Sequence, residues 1–117
     1  MSERDTMSPR QVVDGWIEDA ASQGEFDTYN AKRNQARCSW HQPMELLIDN
    51  EIVYVQCRDI SNTGVGLVTK RNLNMDQTVH VRRDERDPWI QCRVAHVTRS
   101  VGAFRIGTEL AFDIDPV

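Results

Sequence analysis

The chain has 117 residues, 39% hydrophobic and 27% charged, which suits one soluble globular domain with a buried core and excludes a disordered chain. A formal net charge of −4 excludes general, non-specific nucleic-acid binding, which needs a basic footprint. Cys38, Cys57 and Cys92 are odd in number and have no CxxC spacing, so neither a disulfide framework nor a zinc site is expected, and a reducing cytoplasm is the simplest setting.

The N-terminus, Met1 to Arg10, is polar and shows no apolar signal-peptide core. No apolar run approaches the length that crosses a bilayer, so direct membrane insertion is not expected. The first element is a helix from Pro9 to Gln23. Ser8 fits the N-cap, Pro9 the first helical position and Gln11 the third, giving an S-x-x-Q capping box, with Met7 and Val12 as a hydrophobic staple. Val12, Val13, Trp16, Ile17, Ala20 and Ala21 recur at helical spacing and form one apolar stripe. Gly15 within it costs about 1 kcal/mol relative to Ala, so the helix is expected to need a surface to pack on. Gly24 is a natural stop.

From Glu25 to Lys32 no period holds, and the stretch reads as a linker. After Arg37 the period becomes two. Cys38, Trp40, Met44, Leu46 and Ile48 fall on one face, and Ser39, His41, Glu45 and Asp49 on the other. Asp49-Asn50 is a compact hairpin turn, and Ile52 to Ile60 is the return strand. Gly64 to Thr69 makes a third strand and Lys70 to Gln77 a longer polar loop. Thr78 to Arg83 is a fourth strand, Asp84 to Pro88 a charged turn, and Trp89 to Val97 a fifth strand. Arg99 to Gly102 turns the chain into a last one, where Phe104, Ile106, Thr108, Leu110 and Phe112 alternate with polar residues or glycine.

Six short antiparallel strands joined mostly by tight turns predict a mainly β fold, a six-stranded antiparallel β-barrel with an N-terminal α-helix. The expected division is an amphipathic helix and linker over 1–31 and a barrel domain over 32–117. Charge follows that division. Residues 1–31 carry seven acids and two bases, and residues 32–117 eleven acids and twelve bases, so the acidic surplus lies ahead of Lys32.

Two polar stretches carry the chemistry. Arg33-Asn34-Gln35-Ala36-Arg37 is an RxxxR preceded by Lys32, and Asp59-Ile60-Ser61-Asn62-Thr63-Gly64 is a DxSxxG at the junction of the second and third strands. Two guanidiniums can fork onto phosphates or onto the O6/N7 edge of guanine. An aspartate and a serine hydroxyl can accept hydrogen bonds from the N1 and N2 edge of the same base. Together they suit an anionic guanine nucleotide.

These two motifs, followed by Ile106-Gly107-Thr108-Glu109-Leu110-Ala111-Phe112, resemble the PilZ family, the bacterial receptor domain for cyclic di-GMP, over roughly residues 32–113. The resemblance implies a PilZ-like barrel in which Arg33 and Arg37 grip phosphates and guanine edges. It implies that Asp59 and Ser61 read the Watson–Crick edge, and that Gly64 lets the backbone approach. A basic residue at Lys32 is compatible with two stacked ligand molecules. Many PilZ domains carry a C-terminal helix across the barrel and none fits here, so the N-terminal helix is expected to cover the barrel instead or to form a homodimer contact.

Competing readings are weaker. His41, His80 and His96 have no acidic partner at metal-ligand spacing, so they read as surface or core residues and no metal or cofactor is expected. Ser61 lies outside any G-x-S-x-G elbow and no acid–base pair stands out, so an enzyme is not expected. Cys57, Cys92 and Trp16 read as packing residues, and burial is also expected for Trp40 and Trp89. A single-strand-binding barrel needs exposed aromatics between basic residues, and the few aromatics here are mostly in core phase. The leading expectation is a cyclic di-GMP receptor whose helix shifts against the barrel and changes a surface shown to an unidentified protein partner. The alternative is a constitutive interaction module working through the apolar helix.

Overall fold

The computed structural model describes residues 8–22 and 37–111. Helix α1 spans Pro9–Ser22, and the strands are β1 (Cys38–Ile48), β2 (Glu51–Ile60), β3 (Gly64–Thr69), β4 (Thr78–Arg82), β5 (Ile90–Ser100) and β6 (Ala103–Leu110). They close as β1-β2-β3-β6-β5-β4, every neighbour antiparallel, with β4 pairing back onto β1. The expected six-stranded barrel with one N-terminal helix is therefore what forms.

The capping box closes in both directions. Gln11 N–H donates to Ser8 Oγ at 3.2 Å, and Ser8 N–H donates to Gln11 Oε1 at 2.8 Å. Met7, Gln23 and Gly24 lie outside the described residues. The stripe does pack: Val12, Val13, Trp16 and Ala20 are buried in the same cluster as the strand interiors, with Ile17 and Ala21 partly buried against it. Trp16 and Trp40 meet with ring centroids 6.4 Å apart. The helix thus covers the barrel with the face that the alternative reading would have offered to a partner.

A polar chain running from the core out to the surface fixes it there. Trp16 Nε1 donates to Asp87 Oδ2 at 3.2 Å, Arg83 Nε donates to the same oxygen at 3.1 Å, and Arg83 Nη1 reaches Asp19 Oδ2 at 2.6 Å. Asp87 is only 5% exposed, so these charge-assisted bonds are what make its burial tolerable.

Asp49 and Asn50 both have positive φ (48° and 67°), as the two central residues of a type I′ turn require. That turn sets the β1–β2 register, from Ile48 opposite Glu51 to Cys38 opposite Ile60, with one extra residue absorbed in β1 between Ser39 and Gln42. β5 runs to Ser100, beyond the expected Val97, and only Val101 and Gly102 (φ 72°) form the turn. Arg99 and Ser100, expected in the turn, still pair with Phe104 and Ala103; earlier in the strand Val94 faces Thr108 and His96 faces Gly107, so Ala95 is an extra residue that breaks the two-period in mid-strand. The 70–77 loop is also less polar in effect than its composition, since Leu73 is buried in the core.

Candidate functional site

The hairpin register explains how two motifs 22 residues apart become one site. Ser39 pairs with Asp59 and Cys38 with Ile60, so Arg37 arrives beside the turn that leaves β2. There its Nη1 donates to Asp59 Oδ1 at 2.7 Å. Both side chains are about a quarter exposed (27% and 22%), enough for a ligand to reach and little enough that the pair is not fully screened. A guanidinium carries five N–H donors, more than one carboxylate oxygen engages.

The DxSxxG turn is locked from within. Ser61 N–H donates to the Gly64 carbonyl at 2.9 Å, and Ser61 Oγ accepts from Thr63 N–H at 3.3 Å. Ser61 is 2% exposed, so its hydroxyl faces the turn and braces it. Leu110 N–H donates to the Thr63 carbonyl at 2.8 Å and ties the turn to β6. From the other side Arg10 Nη1 donates to the Asn62 carbonyl at 2.8 Å, which joins helix α1 to the middle of the motif.

Gly64 answers a packing demand. A Cβ there would lie 2.3 Å from the Thr108 carbonyl oxygen, a backbone atom that cannot step aside. Two residues on, a Cβ at Gly66 would lie 2.4 Å from Asp59 Oδ1, so this second glycine lets the carboxylate rest on the sheet where Arg37 meets it. Sequence reading passed over Gly66. The signal was its spacing, since Gly64 and Gly66 share one face of a period-two strand.

Beneath the site Cys57 is fully buried, and its thiol is pushed up to about 12, mainly by burial and then by the neighbouring Asp59 charge. Burial likewise raises Cys92 to about 12. Both are packing residues with no thiolate to offer at neutral pH. Trp16 and Trp40 are buried as expected; Trp89 is half-buried under the Arg82 guanidinium, 4.0 Å from its ring centre. Among the described residues no group of three His, Cys, Asp or Glu could hold a metal ion, and no helix is long and apolar enough to cross a membrane.

Of the six motif residues expected to form the site, Arg37, Asp59, Ser61 and Gly64 come together, while Lys32 and Arg33 lie outside the described residues. A recess of about 240 Å³ opens on the outer wall beside Arg37 and Asp59. A roomier recess, about 930 Å³, lies elsewhere around Ile52, Tyr54 and Val68. It is mainly apolar; of the charges at its edge Arg71 and Glu51 are bound to each other at 2.7 Å, and Lys70 lies beside them.

Comparison with known proteins fits this geometry. The family model described as PilZ domain matches residues 31–117. A crystal structure of YcgR from Escherichia coli in complex with c-di-GMP superimposes with a TM-score of 0.54 at 16% identity, covering 73% of this chain and 40% of that one. This chain thus spans well under half of that protein, and the likeness concerns the fold. Among curated protein sequences none matches.

Proposed function

Because the chain belongs to the PilZ domain family, we propose that it is a non-enzymatic receptor for cyclic di-GMP, with Arg37 and Asp59 at the centre of the site. The observation that carries this reading is the 2.7 Å contact between one residue of each motif on an accessible outer wall. A donor fork and an acceptor held side by side match a guanine, which presents acceptors on O6/N7 and donors on N1 and N2. The c-di-GMP bound to a protein of the same barrel fold supports the choice of ligand. In this reading Ser61 and Gly64 set the turn that aims Asp59, and Arg33, with Lys32, adds positive charge for the phosphates from the segment before Arg37.

Binding is transmitted through the helix. Arg10 holds the Asn62 carbonyl inside the motif, so a ligand that shifts the turn pulls on α1, whose position a partner protein reads. Hydrogen exchange across α1 and the segment 25–37 tests this: greater protection in segment 25–37 and altered protection in α1 are expected with ligand, and identical protection contradicts it.

A bidentate Arg–guanine contact contributes about 1–3 kcal/mol, so Arg37→Ala should weaken binding roughly ten- to a hundredfold. Titration calorimetry of wild type, Arg33→Ala and Arg37→Ala checks this. No heat with wild type, or unchanged affinity in both variants, overturns the reading.

A further inference from the structure

The first half of β2 is apolar on both faces. Ile52, Val53, Tyr54 and Val55 follow one another without a break, the pattern of a strand covered on both sides rather than of one with a wet outer face. The inward pair has its cover, since Val55 is buried in the core and Val53 packs against it. Alternation turns Ile52 and Tyr54 outward, where they are 46% and 80% exposed. A projecting aromatic ring and an isoleucine thus share an outer wall that water would ordinarily line with polar side chains.

This wall fits a copy of itself in two respects. It holds a projection and a hollow side by side: Tyr54 and Ile52 stand at the apolar recess of about 930 Å³ that Pro43, Val68 and Ala103 also line. Its charges, too, nearly cancel within the chain. Arg71 holds Glu51 at 2.7 Å, and Arg82 holds Glu45, the residue directly opposite Tyr54, at 2.8 Å. Asp49 in the β1–β2 turn and Lys70 at the end of β3 are both exposed, and neither is in an ion pair among the described residues. One charge of each sign is left over, so a partner with a strong charge of one sign finds no complement here. A second copy turned by half a revolution does, because its Lys70 can meet the Asp49 of the first.

We propose that this face is the contact between two copies of the chain related by a twofold axis, with Tyr54 of each copy seated in the recess of the other. A twofold contact uses one patch twice, so the patch must carry both the part that projects and the part that receives, and this one does. Tyrosine anchors such contacts because a flat ring with two side-chain torsions buries about 150–250 Å² at small entropic cost. The apolar stripe of α1 is not available for this role, since it already lies in the core. The recess stops at Gln56, short of Asp59 on the same strand, so the contact leaves the Arg37–Asp59 pair open and does not depend on the nucleotide reading.

Sedimentation velocity over about 1 to 300 µM protein tests it, with thermal melting of each variant at the lowest concentration. Wild type should pass from monomer to dimer with a midpoint in the micromolar range, as a small contact face does. Tyr54→Ala should weaken the dimer at least about a hundredfold, because each dimer loses two seated rings. Its melting midpoint should not move, since the ring is exposed. Val68→Trp, which fills the recess and keeps the tyrosine, should weaken the dimer as well. Mixed in equal amounts, the two variants should pair with each other more tightly than either pairs with itself, because Tyr54 of one then finds an open recess on the other. Wild type that stays monomeric throughout, a dimer that survives Tyr54→Ala, or a mixture no tighter than its components overturns the proposal.

Discussion

The end of the barrel under helix α1 and the outer wall over β2, β3, β6 and β5 are built to opposite rules. Under the helix, Trp16, Trp40 and Val13 fill the space, and the polar groups that enter it are chained from Trp16 through Asp87 and Arg83 to Asp19. Trp40 Nε1 is the exception, buried with no hydrogen-bond partner among the described residues. On the outer wall Gly66 and Gly107 strip the sheet to its backbone, and Asp59, His96 and Arg105 stand around the gap. Burial serves stability in the first region; side chains removed from the second leave room for something else to complete it.

The largest expected effect breaks the first region. Trp16→Ala should cost about 3–5 kcal/mol, because it empties the core between helix and barrel and removes a donor from buried Asp87. Denaturant unfolding measures it, and a loss below about 1 kcal/mol would mean that the helix is not part of the core.

A pair of glycine variants sharpens the contrast. Gly64→Ala collides with the Thr108 backbone and should cost about 1–3 kcal/mol of stability. Gly66→Ala meets a side-chain carboxylate, which can move, so it should cost under about 1 kcal/mol in stability. It displaces Asp59 from Arg37, however, and should weaken nucleotide binding more than it weakens the fold. Chemical denaturation and ligand titration on both variants separate the two effects; equal losses of stability would erase the distinction.

The smallest effect is a pH slope. Cys57 and Cys92 hold their protons in the fold up to about 12, against an ordinary thiol value near 9.0. Between those values the unfolded chain releases protons that the folded chain keeps. Stability should therefore fall as pH rises above 9, by up to about 1.4 kcal/mol per unit for each thiol. Urea midpoints at pH 8 and pH 10 measure it, and Cys57→Ala should flatten the slope.

Much of this was legible in the residues, for reasons that differ by element. β6, and β1 beyond its bulge, kept a regular alternation, so their inward faces followed from Met44, Leu46, Ile48, Ile106 and Leu110. The Asp49-Asn50 turn was legible because both residues tolerate positive φ. β5 was shortened in the reading because Arg99 to Gly102 reads as a polar turn, whereas Arg99 and Ser100 still pair with Phe104 and Ala103. The direction of His96 was not legible because it depends on the bulge at Ala95, a pairing that no local pattern records. Arg37 and Asp59 were named from motif spacing, but their contact needed the hairpin register, and Gly66 needed the position of Asp59.

The most direct test of the proposed site is a two-dimensional amide spectrum of the protein titrated with cyclic di-GMP. Saturable shifts should gather at Gly64, Gly66, His96 and Gly107, with Ile52 and Tyr54 unmoved. Shifts confined to the Ile52–Tyr54 face, or an unchanged spectrum at millimolar ligand, would contradict a nucleotide site on the glycine wall.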